Sequence, residues 1–188
     1  MPYRQIRFQE GCYYHVYNRG NDRQPIFYNR DNYLYFLRQF RRYFIQPRAL
    51  DLVAYCLMPN HYHFLVYLHQ ANFSKRMQRF ALSYTKTMNN RYKRVGSLFQ
   101  GRFQAILVDS DRYLANLTRY IHLNPVRANL VESAADWEFS SYPEYLQLRR
   151  GTLPQCEIVG SLFESPSAYR EFVEEGEREN AIDHLLFD

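Results

Sequence analysis

The chain has 188 residues, enough for one domain with a hydrophobic core, and it is rich in aromatic side chains, with 18 Tyr and 14 Phe. Its first residues contain no apolar run and no later stretch approaches the length of a membrane span, so we expect neither a secretory signal nor a contact with a membrane. The three cysteines are far apart and odd in number, which excludes a disulfide framework or a C-x-x-C zinc site and favours a cytoplasmic protein.

Charge is distributed very unevenly along the sequence. Residues 1–128 contain 20 Lys and Arg against 6 Asp and Glu, a net of +14, whereas residues 129–188 contain 4 against 13, a net of −9. No acidic residue occurs between Asp51 and Asp109. A basic region with interleaved rings is typical of a polyanion-binding surface, since cations contact phosphates and rings stack on bases. A solvated basic face is the alternative, but the one-sided split favours nucleic acid.

Apolar spacing, β-formers and turn residues predict four strands and three main helices. In chain order these are a strand over 12–18, a helix over 31–44 begun by Asn29 or Asp31, strands over 52–58 and 61–68 joined by a turn at 59–60, a helix over 73–92, a strand over 103–108 and a helix from 111 to about 123. This order predicts an α+β, ferredoxin-like or RRM-like sandwich, with an antiparallel sheet and helices on one face.

The composition becomes acidic after residue 131. This change predicts a domain over 1–131 and an acidic C-terminal extension over 132–188, packed on or near the core. We expect the aromatic segment 137–142 to contact the core, and residues 150–188 to form a peripheral tail with a helix near 168–180. The extension could fold over the basic domain and compete with DNA, or it could be an ordinary acidic appendage.

The third predicted strand begins with two histidines that point the same way. His61 and His63 are two residues apart, so their side chains share a face of the strand, opposite the face that carries Tyr62 and Phe64. Imidazole is the commonest protein metal ligand, and the pair could hold one ion. Alone, however, such a pair is more often part of a solvated polar face.

The last predicted helix of the domain contains two residues that could complete a metal site. Tyr120 and Asn124 are four apart and therefore lie on one helical face. If this helix packs beside the histidine strand, Asn124 Oδ1 can be a third ligand, in a set that suits Mg²⁺ or Mn²⁺, with the Tyr120 hydroxyl about one turn away. The alternatives are that Asn124 caps a separate short helix beginning at Pro125, and that Tyr120 is a packing residue.

Several stretches, in this order, resemble the REP-associated tyrosine transposases, in the single-tyrosine branch of the HUH endonucleases. They are YHVYNRGNDRQPIF (14–27), LMPNHYHFLV (57–66), LFQGRFQAILVDSDRYL (98–114), RYIHLNPVRANLV (119–131) and WEFSSYPEYL (137–146). The resemblance implies that 1–131 is an HUH domain. It also implies that His61, His63 and Asn124 bind the metal and that Tyr120 is the nucleophile, with Tyr62 at a position where the family has a hydrophobe.

The resemblance implies a metal-dependent single-stranded DNA endonuclease and strand transferase, which cleaves beside REP-like or BIME-like hairpins through a 5′-phosphotyrosine. We expect a cytoplasmic, nucleoid-associated protein that acts as a monomer, with a homodimer as the alternative. Two other functions are open. One is a non-catalytic hairpin DNA- or RNA-binding module on an RRM-like sheet, and the other is a metallohydrolase that uses activated water.

Basic residues, most of them on the helix over 73–94 and in the loop that follows it to Arg102, are candidates for contacts with the DNA backbone. They are Arg19, Arg23, Lys75, Arg76, Arg79, Lys86, Arg91, Lys93, Arg94, Arg102 and Arg127. No general base is evident from the sequence. His15 and His122 are possible helpers, although His15 could be an ordinary sheet histidine and His122 is predicted to point away from the face of Tyr120 and Asn124.

Overall fold

The structure is a computed structural model in which residues 7–175 are described. Its strands are β1 (Tyr13–Arg19), β2 (Leu50–Met58), β3 (His61–Leu68) and β4 (Gln104–Val108). Its helices are α1 (Arg30–Phe40), α2 (Phe73–Tyr92), α3 (Asp111–Arg127), α4 (Tyr142–Tyr145), α5 (Glu157–Gly160) and α6 (Pro166–Glu175). None of the helices within 7–175 is both long enough and apolar enough to cross a bilayer.

The four strands form one antiparallel sheet in the order β2-β3-β1-β4. This is the strand order of a ferredoxin-like fold, so the predicted α+β class is confirmed. Strand β1 lies between β3 and β4, with His15 opposite Leu65 and Tyr17 opposite His63. That register places the side chains of β1 and β3 beside one another on both faces of the sheet.

One face of the sheet is covered by α1 and α2. The side chain of Asn29 accepts a hydrogen bond from Asn32 N and begins α1, while α2 spans the residues that its apolar spacing predicts. The apolar stripe of α2 packs with Phe36 of α1 and with Phe64 and other buried residues of β3 in the larger core cluster. A π-helical turn over Arg41–Ile45 extends α1 to the end of the predicted helix over 31–44, although its π geometry was not predicted.

The opposite face is covered by α3 and by the C-terminal segment, so it is less open than the sequence suggested. Tyr145, Tyr169 and Val173 are buried there, in a second core cluster with residues of β2 and α3. Residues 150–175 are therefore not a peripheral tail, because their aromatic and branched side chains complete this cluster. The predicted helix near 168–180 is α6 as far as Glu175, and its remaining positions lie outside the described residues.

Candidate active site

The two histidines of β3 lie on the face of the sheet that α3 covers. Their ring centroids are 5.1 Å apart. His63 is only 3% exposed, whereas His61, at the start of the strand, is partly exposed. Alternation along β3 sends Tyr62 and Phe64 into the core on the other face, which fixes the direction of both imidazoles.

Helix α3 brings Tyr120 and Asn124 to the same place. The helix begins at a Ser110 cap, whose side chain accepts a hydrogen bond from Tyr113 N. The Tyr120 ring packs edge-on against His63, with 5.5 Å between ring centroids. The side-chain Nδ2 of Asn124 donates a hydrogen bond to the backbone carbonyl oxygen of Tyr120 at 3.0 Å. Tyr120 and Asn124 are each 8% exposed, so the site is nearly closed.

Helix α3 continues through Pro125, so Asn124 is not the cap of a separate short helix. A proline lacks the N–H group that would bond four residues back, but near the end of a helix only one hydrogen bond is lost. Because Asn124 keeps helical geometry, its relation to Tyr120 four residues earlier is retained.

In each histidine the Nδ1 atom is engaged by a neighbouring side chain. His61 Nδ1 is 2.7 Å from Asn60 Oδ1 and His63 Nδ1 is 2.9 Å from His15 Nε2, so Nε2 is the ring nitrogen that would coordinate a metal ion. In His61, coordination would replace the hydrogen bond with the Asn124 side chain. Within residues 7–175 no three His, Cys, Asp or Glu side chains are grouped as metal ligands. A third ligand would therefore be the side-chain amide of Asn124. Its Nδ2 donates a hydrogen bond to the backbone carbonyl of Tyr120, and its Oδ1 is of the kind that a hard cation prefers.

Burial keeps both imidazoles neutral, which is the form that binds a metal. It lowers the pKa of His63 well below the usual value, and the neighbouring His61 and His15 lower it further. Burial also lowers the pKa of His61, while a hydrogen bond with the Asn124 side chain opposes that change. The same amide therefore interacts with His61 and with Tyr120.

The phenol of Tyr120 is protonated at neutral pH. Burial raises its pKa above 10, and the Asn124 side chain and the Arg127 guanidinium act in the opposite direction. Arg127 lies over the Tyr120 ring, with its Cζ 5.5 Å from the centroid. Tyr120, Asn124 and Arg127 follow one another at intervals of four and three residues, so one stripe of α3 faces the site.

Three of the basic candidates lie around the site. Arg127 contacts Tyr120, Arg19 pairs with His61 in the sheet register, and the carbonyl of Arg23 accepts a hydrogen bond from Asn60 Nδ2 at 3.1 Å. The Arg19 guanidinium also donates a hydrogen bond to the Gln100 side chain.

The basic residues of α2 lie elsewhere, because this helix covers the opposite face of the sheet. Arg76 is bound within its own region, where it donates to Asn72 Oδ1 at 2.8 Å and Gln70 Oε1 at 2.7 Å. The exposed basic residues of α2 and the turn after it are Lys75, Arg79, Lys86, Arg91 and Lys93, while Arg94 is partly buried. DNA that reached both these residues and the site would have to cross the edge of the sheet. Arg102 is exposed in the segment before β4, which lies beside the end of β1, because Gln100 N donates to the backbone carbonyl of Arg19 at 3.0 Å.

The sequence left open whether His15 and His122 take part in the site. His15 contacts His63 directly, as given above. His122 points away from the face of Tyr120 and Asn124, as predicted, and is fully buried with Tyr169 Oη and Ser141 Oγ each 2.8 Å from a ring nitrogen. His122 thus links α3 to the C-terminal segment and does not belong to the site.

Known proteins resemble this chain in sequence and in fold. The family model of IS200-like transposases matches residues 8–124, a range that contains β1 to β4 together with His61, His63, Tyr120 and Asn124. The chain belongs to this transposase family. It is 31% identical over 121 residues to a Haemophilus influenzae protein provisionally named a REP-associated tyrosine transposase, covering 57% of this chain and 69% of that protein.

A solved structure shares the fold of this transposase. It is described as a REP-associated tyrosine transposase bound to a REP hairpin, and it matches with a TM-score of 0.66 over 82% of this chain and 97% of that one. The two sequences are 18% identical, so this likeness concerns the fold alone. The family model and the Haemophilus influenzae relative together confirm the resemblance to REP-associated tyrosine transposases.

Proposed function

We propose that this transposase is a metal-dependent single-stranded DNA endonuclease and strand transferase, which binds hairpin DNA and cleaves it through a covalent 5′-phosphotyrosine at Tyr120. The observation that carries the proposal is the placement of the Tyr120 ring against His63, with Asn124 interacting with both Tyr120 and His61. A potential nucleophile and three potential ligands thus meet on a nearly closed face of the sheet.

The residues present fit a hard divalent cation, Mg²⁺ or Mn²⁺. Nε2 of His61, Nε2 of His63 and Oδ1 of Asn124 would hold it, and three protein ligands leave positions open for phosphate oxygens. A bound cation polarises the scissile phosphate and stabilises the charge that develops on its oxygens. The neutral imidazoles, which burial maintains, keep the two nitrogen lone pairs available at neutral pH.

The bond-breaking step exchanges one phosphodiester for another. Tyr120 Oη loses its proton to solvent and bonds to the phosphorus, while the bond from phosphorus to the 3′ oxygen breaks. The departing oxygen takes a proton from solvent and becomes a free 3′-OH. Because the phosphotyrosine conserves the bond energy, a 3′-OH can attack it and rejoin a strand without ATP. Arg127, over the Tyr120 ring, favours the phenolate that this step requires.

Hairpin binding is proposed from charge and from the relatives. Residues 1–128 have a net charge of +14, and cations on both sides of the sheet could contact a folded strand. A fold match bound to a REP hairpin supports a ligand of the same kind here. We propose that the protein acts as a monomer in which all four site residues come from one molecule, with α3 on the sheet of its own chain.

A cleavage assay with a matched control tests the proposal. We would incubate the protein and Mg²⁺ or Mn²⁺ with single-stranded hairpin DNA from the flanks of its own gene, and look for a covalent adduct on a denaturing gel. Tyr120→Phe should abolish the adduct and retain hairpin binding. Tyr113→Phe should retain both, since the Tyr113 hydroxyl is buried on the same helix without a hydrogen-bond partner among residues 7–175.

Each other outcome supports a different function. Cleavage that survives Tyr120→Phe without any adduct would indicate activated water as the nucleophile. Hairpin binding with no cleavage in either metal would indicate a non-catalytic nucleic-acid-binding module. Either result would overturn the proposed mechanism.

A further inference from the structure

His15 makes a direct contact with the metal-site histidine that lies deepest in the sheet. Its Nε2 is 2.9 Å from His63 Nδ1, and the two rings stack with 5.2 Å between centroids. His15 is 1% exposed and His63 is 3% exposed, so no bulk water competes for this hydrogen bond. The residues are diagonal neighbours on β1 and β3, because His63 pairs with Tyr17 and His15 pairs with Leu65.

The hydrogen bond can be made with the proton on either histidine, and the two arrangements are not equivalent for a metal. If His63 Nδ1–H donates to His15, the lone pair of His63 is on Nε2, which faces the site. If His15 Nε2–H donates to His63, the neutral His63 carries its proton on Nε2 and cannot coordinate. Metal-binding histidines commonly have the other ring nitrogen held by a hydrogen-bond acceptor, which sets the tautomer and the ring orientation.

We propose that His15 is a positioning residue, which accepts the His63 Nδ1–H hydrogen bond and thereby presents His63 Nε2 to the divalent cation. This inference rests on the metal site in the proposed function. His15 must then carry its own proton on Nδ1. That atom is buried and has no hydrogen-bond partner among residues 7–175. A buried donor without a partner costs about 1–3 kcal/mol, and this indicates that His15 is poorly suited to a purely structural role.

A neutral imidazole acceptor also differs from the carboxylate that often holds a metal-bound histidine. No Asp or Glu lies between Asp51 and Asp109, the stretch that contains β3, and none is a described hydrogen-bond partner of His15 or His63. His15 therefore orients its neighbour without placing a negative charge beside a phosphate that is itself anionic. A neutral acceptor beside His63 therefore avoids repulsion of the DNA phosphate.

The Mn²⁺ affinity of the full-length protein tests the proposal without any cleavage assay. Electron paramagnetic resonance would measure free Mn²⁺ in titrations of the wild type, His15→Gln, His15→Asn and His15→Phe. The Gln amide oxygen reaches about as far as His Nε2 and can accept the same hydrogen bond, whereas the shorter Asn amide and the Phe ring cannot. We expect Gln to bind nearly as the wild type, and Asn and Phe to lose about 10–100-fold in affinity.

Two further measurements separate positioning from general damage. Leu65→Ala, opposite His15 in the sheet, creates a cavity on the same face without touching the hydrogen bond and should leave Mn²⁺ affinity nearly unchanged. Side-chain ¹⁵N spectra of the Mg²⁺-loaded protein should show His63 with its proton on Nδ1. If His15→Phe does not fold, the Gln and Asn pair still decides the matter.

The outcomes distinguish this inference from the function on which it rests. If the wild type binds no Mn²⁺, the metal site itself fails and the role of His15 fails with it. If the wild type binds Mn²⁺ and all three His15 variants bind equally well, the positioning role alone is overturned. A His63 proton on Nε2 in the Mg²⁺-loaded protein would overturn it as well.

Discussion

Helix α3 is held to the C-terminal segment through His122, and this connection can be tested by removing a single oxygen atom. The Tyr169 hydroxyl, on α6, is 2.8 Å from His122 Nδ1, and both residues are fully buried. Tyr169→Phe removes this hydroxyl and keeps the ring that packs against α3. A buried imidazole nitrogen then loses its hydrogen-bond partner.

The size of the effect follows from the unsatisfied nitrogen. Leaving a buried polar group without its partner costs about 1–3 kcal/mol, and the ring volume hardly changes, so no cavity term is added. We therefore expect the free energy of unfolding to fall by about that amount. For a chain of this size, each kcal/mol corresponds to a fall in Tm of about 2–4 °C.

Tyr142 provides a matched control on the same histidine. Its ring lies 5.2 Å from that of His122, against 5.9 Å for Tyr169, but its buried hydroxyl has no hydrogen-bond partner within residues 7–175. Tyr142→Phe should therefore leave stability unchanged or slightly higher. Urea unfolding, followed by the fluorescence of Trp137, the single tryptophan, measures both variants. Equal losses of stability, or no loss for Tyr169→Phe, would refute the reasoning.

Three further predictions concern pH and the site itself. Burial lowers the pKa of His15 and His122 to about 3 from the ordinary 6.5, so their stabilising effect is complete above pH 6.5 and decreases as pH falls towards 3. At pH 5 each histidine should contribute about 2 kcal/mol less to the free energy of unfolding than at pH 7. Equal free energies from urea unfolding at pH 7 and pH 5 would contradict this. Asn124→Ala should reduce cleavage more than about 10-fold while hairpin affinity in gel-shift assays stays constant; undiminished cleavage argues against Asn124 as a ligand. Arg127→Gln should slow single-turnover cleavage about 2–5-fold, the equivalent of a cation–π contact of about 0.5–1 kcal/mol, and a rate equal to that of the wild type would count against its contact with Tyr120.

Local signals in the sequence predicted much of the fold. The apolar stripe of α2 and the alternation along β3 fix those elements at the residues that the structure shows. Alternation also places His61 and His63 on one face, and helical spacing brings Tyr120 into line with Asn124. The order of strands and helices was sufficient to predict the ferredoxin-like sheet, because few topologies join these elements with short connections.

Features that depend on distant contacts were missed. The hydrogen bond between His15 and His63 depends on which strand lies beside β3 and in what register, and neither is encoded locally. The acidic composition of the C-terminal segment suggested a peripheral tail, but composition does not reveal that Tyr169 and Val173 face α3. The continuation of α3 through Pro125 depends on the packing of its last turn, which outweighs one lost hydrogen bond.

The identity of the nucleophile is the central claim, and peptide mapping of the trapped adduct tests it most directly. Tryptic digestion after Arg119 and Arg127 releases residues 120–127, YIHLNPVR, in which Tyr120 is the only tyrosine. After incubation with hairpin DNA and Mn²⁺ and digestion of the DNA, mass spectrometry should find a 5′-linked nucleotide on this peptide, at Tyr120. A nucleotide on any other residue, or cleaved DNA with no modified peptide, would contradict the proposed mechanism.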